Sequence, residues 1–134
     1  RMREVEKVNI STGSPHAFTL YNGGNLPQSD VSFRITCRGS STPTITAVSV
    51  YRPGYSEVNW RGTIADTEYL DIGFGDRSVR LNGTDNYAGF DATDYDREEW
   101  LVLDSGNNTV RVSWVVGSGT VTPTISWRYY DRWA

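Results

Sequence analysis

Residues 100–114 read WLVLDSGNNTVRVSW and carry the pattern that decides the fold. Valine or tryptophan occupies every even position from 110 to 116, and Arg111 and Ser113 lie between them. This two-residue period is typical of a strand with one buried face. The DSGNN run at residues 104–108 holds residues that accept positive φ angles or bond to their own backbone, so it predicts a tight turn. The apolar WLVL before this turn is expected to form a short strand of its own.

The same alternation resumes towards the C-terminus. After a glycine-rich break at residues 117–119, the apolar positions are Val121, Ile125, Trp127 and Tyr129. The last third of the chain is therefore expected to form a three-stranded antiparallel meander. It contains four of the five tryptophans, so it is expected to supply much of the core.

Short strands separated by turn residues are expected along the rest of the chain. They lie at residues 4–10, 17–21, 31–37, 44–50, 58–64, 70–74, 78–81 and 87–90. Breaks are expected at residues 39–43 and 51–55, and a hairpin turn at residues 82–86. About ten short strands without a helical period indicate an all-β fold, an antiparallel β-sandwich with little or no helix. A β-barrel is the competing closure.

The shared alternation also predicts which side chains are buried. The expected core residues are Phe33, Ile35, Ile72, Val79, Leu101, Val110, Val112, Trp114, Ile125 and Trp127. Cys37 is the only cysteine, so no intramolecular disulfide can form. Because Cys37 lies in strand register with Phe33 and Ile35, we expect a buried thiol that acts as a small hydrophobic residue.

Composition limits the class of protein and its partners. A chain of 134 residues is expected to form one domain, residues 1–134, that needs no metal or disulfide to fold. The net charge of −3 gives no reason to expect nucleic acid as a partner. No apolar run approaches the length of about eighteen residues that spans a membrane, so no membrane insertion is expected. The chain begins at Arg1 rather than methionine, which favours a domain cut from a longer polypeptide.

The residue pattern gives no evidence of enzymatic activity. A hydrolytic triad needs a histidine beside a nucleophile, but His16 is the only histidine and no nucleophile motif accompanies it. One histidine and one cysteine are too few for a zinc site. We therefore expect no enzyme, no cofactor, and no catalytic or metal-binding residues. The acidic run at residues 91–99 suggests calcium as an alternative, but it lacks the spacing of a known calcium loop and is interpreted as a solvated connection.

Aromatic residues around one turn form the candidate binding site. Tyr51 and Tyr55 flank the Arg52-Pro53-Gly54 turn, where the two rings can stack on a sugar and Arg52 can donate to it. Tyr51, Arg52 and Tyr55 are thus the candidate contacts with a glycan or a partner protein. In the alternative interpretation, these tyrosines only cover one end of the sandwich.

Several segments, in order, resemble a known family. The closing segments are WLVL at residues 100–103, GNNTV at residues 106–110 and WRYYDRW at residues 127–133. Upstream segments at residues 22–39, 42–45, 68–72, 79–83 and 87–91 extend the likeness to residues 8–134. Together they resemble the C-terminal domain of siphovirus distal tail proteins, also called phage minor tail or tail-component proteins. Asp104-Ser105 stands where that family usually has proline, and residues 51–60 are not typical of it.

The resemblance implies a galectin-like β-sandwich of jelly-roll type at the tip of a long-tailed phage. Such a domain is a structural or adaptor part that contacts other tail proteins. It would be attached to a ring-forming N-terminal hub domain, through which it would join an oligomer in the virion. Assembly would take place in the cytoplasm of the bacterial host. The family brings no catalytic residues. The alternative function is a carbohydrate-binding module that recognises a glycan on the host cell surface.

Overall fold

A computed structural model describes residues 2–11, 13–54, 56–91 and 101–131, and these form an all-β domain. The strands are β1 (Met2–Lys7), β2 (His16–Asn22), β3 (Val31–Thr36), β4 (Gly39–Arg52), β5 (Ser56–Ala65), β6 (Tyr69–Gly73), β7 (Ser78–Leu81), β8 (Thr84–Asp85), β9 (Phe90–Asp91), β10 (Gly106–Val121) and β11 (Thr124–Tyr130). In this part of the chain, the only helical element is a 3-10 turn at Tyr87–Gly89. No described helix has the length and hydropathy to cross a bilayer.

The strands form two antiparallel sheets. The six-stranded sheet has the order β1-β11-β3-β6-β7-β8, and the five-stranded sheet has the order β2-β10-β4-β5-β9. In β3, Val31, Phe33 and Ile35 are buried, whereas Ser32 and Arg34 are exposed. This alternation, repeated in most long strands, gives each sheet one apolar face, and the two faces pack together. The predicted antiparallel β-sandwich is confirmed.

Aromatic side chains from both sheets meet at the centre of the core. Trp127 of the six-stranded sheet is fully buried, and its ring lies 4.8 Å from the ring of Phe33. Phe18 of the five-stranded sheet contacts Trp127 edge-on at 5.8 Å between ring centroids, which joins the two layers. All ten core residues predicted from the alternation are buried, and so are Trp60 and Tyr129.

The predicted meander in the last third of the chain is wrong. Strands β10 and β11 are consecutive along the chain, but they belong to different sheets. The chain passes from one layer to the other through Thr122-Pro123, and a proline cannot donate a ladder hydrogen bond. Residues 101–103 form no strand but one isolated bridge, between Leu103 and Gln28. Trp100 lies outside the described residues.

The breaks predicted at residues 39–43 and 117–119 are also wrong. Strand β4 begins at Gly39 and β10 continues to Val121, and the two pair along this length with three register shifts. A Cβ atom on Gly39 would collide with the carbonyl oxygen of Thr120. The glycine therefore allows two backbones to approach closely within a bulged ribbon instead of ending the strand.

The predicted hairpin turn at Asn82-Gly83 is confirmed, but its second strand differs. Asn82 and Gly83 have φ angles of 52° and 81°, and these positive values suit a two-residue hairpin turn. Strand β7 pairs with the short β8, Thr84–Asp85. Phe90 lies beyond the 3-10 turn in β9, which pairs with β5 of the other sheet.

Cys37 is fully buried, as predicted, and its Sγ lies 3.6 Å from the carbonyl oxygen of Pro43. Burial raises the pKa of the Cys37 thiol from 9.0 to about 11. We expect the native protein to resist an aromatic disulfide reagent at neutral pH and to react rapidly once unfolded. A Cys37→Ala variant provides the blank. Equal reaction rates for the native and the unfolded chain would contradict the burial of this thiol.

The raised thiol pKa also predicts a loss of stability at alkaline pH. The unfolded chain releases the thiol proton above pH 9.0, whereas the folded chain keeps it until about pH 11. This contribution to stability is therefore complete below the unfolded pKa and is lost as pH rises through the folded pKa. Between these values, denaturant titrations should show a steeper loss of stability for wild type than for Cys37→Ala.

Candidate functional site

The candidate turn joins β4 to β5 at one end of the five-stranded sheet. Tyr51 and Arg52 are the last residues of β4, and Gly54 has a φ of 82°, which a glycine adopts readily. Tyr51 is half-buried and pairs with Glu57 and Arg111 across the neighbouring strands. Tyr55 lies outside the described residues.

The guanidinium of Arg52 has partners within the protein. It donates to the carbonyl oxygen of Val102 at 3.2 Å and to Oδ2 of Asp104 at 2.9 Å. Its side chain is only 14% exposed. These bonds hold the segment after residue 100 against the β4–β5 hairpin, so a ligand would have to compete for the same donors. The assignment of Tyr51, Arg52 and Tyr55 to a glycan or partner contact stays a prediction.

A concave surface lies on the outer face of the six-stranded sheet. This groove has a volume of about 690 Å³, within the range of about 300–1,000 Å³ typical of ligand pockets. Small residues contribute to its lining at the centre of the sheet, among them Ser32, Gly73 and Ser126. They face outward because strand alternation directs Phe33 and Trp127 into the core. A floor of small side chains between longer ones makes the sheet face concave.

A row of polar side chains crosses the groove from strand to strand. Glu6 of β1 pairs with Ser126 of β11, and Ser126 pairs with Arg34 of β3. Arg34 pairs with Asp71 of β6, which pairs with Arg80 of β7. Neighbouring strands lie about 4.8 Å apart, so the row extends over four such spacings. The result is a linear series of hydrogen-bonding groups across five strands.

Charges of both signs line the groove in nearly equal numbers. The five carboxylates belong to Glu4, Glu6, Asp30, Asp71 and Asp76, and the four guanidinium groups to Arg34, Arg38, Arg80 and Arg128. Two ion pairs join members of these sets: Arg34 with Asp71, and Arg128 with Glu4. The groove therefore has no strong field of one sign, unlike a surface that attracts a polyanion.

Arg34 is the most firmly held charged group in the groove. Its Nε donates to Oδ1 of Asp71 at 2.7 Å, and its terminal NH2 donates to Oδ2 at 3.0 Å. The guanidinium also lies over the Tyr69 ring, 4.2 Å from its centroid. The bonds to Asp71 raise the pKa of Arg34, while partial burial opposes that rise. Bidentate pairing and stacking fix the planar group, although half of the Arg34 side chain remains exposed.

Sequence reasoning did not find this groove. The outward positions Ser32, Arg34 and Ser126 fit the ordinary solvent-facing half of an amphipathic strand. Strands β3 and β11 are far apart in the sequence, and β6 lies between them in the chain, yet the order in the sheet is β11-β3-β6. Only this non-local pairing brings the polar positions into one row.

An ion pair fastens the first strand to the end of β11. Asp131 accepts a hydrogen bond from Nε of Arg3 at 2.6 Å and another from the backbone N–H of Gly23 at 2.7 Å. The Arg3 guanidinium also lies 5.1 Å from the centroid of the Tyr21 ring. The bond from Arg3, followed by that from Gly23, lowers the pKa of Asp131 from its ordinary value.

This geometry predicts a specific acid sensitivity. Because the folded pKa of Asp131 lies below the unfolded value of 3.8, the contribution of Asp131 is present above that value and lost as pH falls through the folded pKa. Asp131→Asn should lower stability at neutral pH and reduce the further loss of stability as the pH falls below 3.8. Denaturant titrations at several pH values measure this. Asp30→Asn is the control, and an Asp131→Asn profile parallel to wild type would contradict the pairing.

Metal binding has no visible basis in the described part of the chain. Among these residues, no group of three or more histidine, cysteine, aspartate or glutamate side chains could hold a metal ion. The acidic run considered for calcium falls at residues 92–99 outside the described residues, and nothing is described of the Asp91 side chain. His16 begins β2, and its ring packs edge-on against the Phe18 ring, with 4.9 Å between the two ring centroids.

A solved structure of a phage protein has a fold similar to that of this chain. No family model and no curated protein matches the chain. Among solved structures, the chain is similar to SPP1 Dit (gp 19.1), described as a paradigm of the hub adsorption apparatus in phages that infect Gram-positive bacteria. The TM-score is 0.56 at 13% identity, over 96% of this chain and 46% of that chain. The chain thus spans less than half of the Dit length, and at this identity the likeness shows the fold alone.

Proposed function

We propose that this chain is a structural or adaptor module of a phage tail. The observation that carries the proposal is the likeness of fold to SPP1 Dit, a protein of a phage adsorption apparatus, along 96% of the chain. The segments that resemble siphovirus distal tail proteins support the same role from the sequence. Because one fold serves many functions, this role requires a direct test.

The proposal extends to the position and partners of the module. It lies at the tail tip of the virion, as part of a distal tail or minor tail protein with a galectin-like sandwich. It contacts other tail proteins, and the full polypeptide joins an oligomer through a ring-forming hub domain. Assembly takes place in the cytoplasm of the bacterial host. In this proposal the module has a structural role, with no enzymatic activity and no cofactor.

Purified virions of the phage that encodes this chain provide the test. Antibodies raised against the folded domain should label one end of the tail in immunogold electron microscopy. Mass spectrometry of the same virions should detect peptides of the chain. Label on the capsid, or the absence of both label and peptides from intact virions, would contradict a role in the tail.

Glycan recognition is the second candidate function. The observation that favours it is the groove of about 690 Å³ on the six-stranded sheet, which is lined by hydroxyl and paired charged groups. The turn with Tyr51 and Arg52 contributes less support, because Arg52 already binds Val102 and Asp104. Calorimetric titration of the domain with glycans from the host cell wall tests this candidate.

A further inference from the structure

We infer that the groove on the outer face of the six-stranded sheet binds a neutral, linear oligosaccharide laid across strands β1, β11, β3, β6 and β7. The inference rests on the second candidate function, glycan recognition. It assigns that function to the row of Glu6, Ser126, Arg34, Asp71 and Arg80.

The lining of the groove excludes an apolar ligand and does not favour a protein partner. The apolar residues that border it, Val31 and Phe33, are each only 1% exposed, because their side chains point into the core. Protein interfaces bind largely through tryptophan, tyrosine and arginine anchors that enter pockets. Among the described residues, no exposed aromatic ring lines this groove, and its central Arg34 is already paired with Asp71. The exposed groups here are hydroxyls, carboxylates and guanidinium groups, which are suited to a ligand covered with hydroxyl groups.

The balance of charge points to a neutral ligand. The carboxylates outnumber the guanidinium groups by only one, and the central Arg34 is paired with Asp71. A polyanion would meet the carboxylates of Glu6 and Asp71 along the same row as the arginines. A neutral sugar meets no such repulsion.

The central ion pair supplies directional contacts that are already in place. Arg34 uses Nε and one terminal nitrogen on Asp71, which leaves its other terminal nitrogen as a donor. Each Asp71 oxygen accepts one of these bonds and keeps a further lone pair. Adjacent hydroxyl groups of a sugar can accept from Arg34 and donate to Asp71 at once. Tyr69 and Asp71 hold the guanidinium before the ligand arrives, so little side-chain entropy remains to be lost.

Glu6 and Arg80 lie at the two ends of the row and offer further hydrogen-bonding groups. Within the described residues, Glu6 and Arg80 make no ion pair or side-chain hydrogen bond. They provide an acceptor at the β1 side and donors at the β7 side. Four inter-strand spacings of about 4.8 Å separate them, a length that suits a chain of several sugar residues rather than a single one.

The test uses neutral tetrasaccharides of glucose, galactose and N-acetylglucosamine, each titrated into the isotopically labelled domain and followed by amide chemical shifts. At least one should bind and shift the amides of β11, β3 and β6. Asp71→Asn should weaken that binding about tenfold or more, since a hydrogen bond to a charged acceptor is lost. Ser32→Tyr should abolish it by filling the floor of the groove.

Matched controls separate the groove from general effects of substitution. Thr109→Tyr adds the same ring to an exposed position on the outer face of the other sheet and should bind as wild type does. The amide spectrum and melting temperature of each variant verify its fold. A sulfated tetrasaccharide is the anionic comparison and should bind more weakly than the neutral one.

The possible outcomes distinguish two failures. If no tetrasaccharide binds wild type, glycan recognition fails as a function and the groove assignment fails with it, while the tail role stands. If one binds but its shifts lie elsewhere, or Ser32→Tyr binds equally well, glycan recognition stands and the groove is not the site. Tighter binding of the sulfated sugar overturns the inference of a neutral ligand.

Discussion

Replacing Trp127 by alanine should lower the free energy of unfolding by about 3–5 kcal/mol, the usual cost of truncating a fully buried tryptophan. The Trp127 side chain has no solvent exposure and contacts Phe33 and Phe74 of its own layer and Phe18 of the other. Its removal would open a cavity where the two sheets meet. Because a domain has a net stability of only about 5–15 kcal/mol, a large part of it would be lost.

Guanidinium denaturation of wild type and Trp127→Ala measures this loss. Tyr130→Ala is the matched control, because Tyr130 is an aromatic residue near the end of the same strand but is 48% exposed. We expect the control to unfold close to the wild-type midpoint. If both variants unfold at the same denaturant concentration, Trp127 is not a central core residue.

Replacing Asn108 by alanine should produce the second large effect, a loss of about 3 kcal/mol or more. Asn108 is 1% exposed, and its Oδ1 accepts from the backbone N–H of Asp104 at 2.9 Å. Its Nδ2 lies 2.9 Å from the carbonyl oxygen of Asp104, 3.0 Å from that of Gly106 and 3.1 Å from that of Leu20. Several backbone groups at this end of the sandwich would lose their partner, and each one left unsatisfied costs about 1–3 kcal/mol.

Asn107→Ala provides the comparison for this prediction, since Asn107 precedes Asn108 in β10 but is exposed. The melting temperature of Asn108→Ala should lie many degrees below that of Asn107→Ala. Asn108→Asp should be at least as unstable as Asn108→Ala, because a carboxylate cannot donate to the three carbonyl oxygens. If Asn108→Ala and Asn107→Ala have the same melting temperature, water replaces the Asn108 amide at little cost and the prediction is wrong.

Parts of the candidate site could be predicted from the sequence and parts could not. The Arg52-Pro53-Gly54 segment forms a turn, as its residue types indicate. The hydrogen bonds from Arg52 to Val102 and Asp104 could not be predicted, because these partners lie about fifty positions away in the chain and no local pattern links them. The groove was missed for the same reason. Ser32 and Ser126 are unremarkable alone and become a floor only when β3 and β11 pair.

The sequence by itself determined the all-β class and the buried face of each strand. Phe33, Val110, Trp114 and Trp127 are buried because a two-residue period directs alternate side chains to opposite faces, and this is a property of each strand alone. Only the tertiary structure decided which strands pair and in which layer each one lies. The alternation in β10 and β11 is the same whether they share a sheet or face each other across the core. Ladder hydrogen bonds join backbone groups that all residues except proline possess, so the choice of partner depends on the packing of the whole domain.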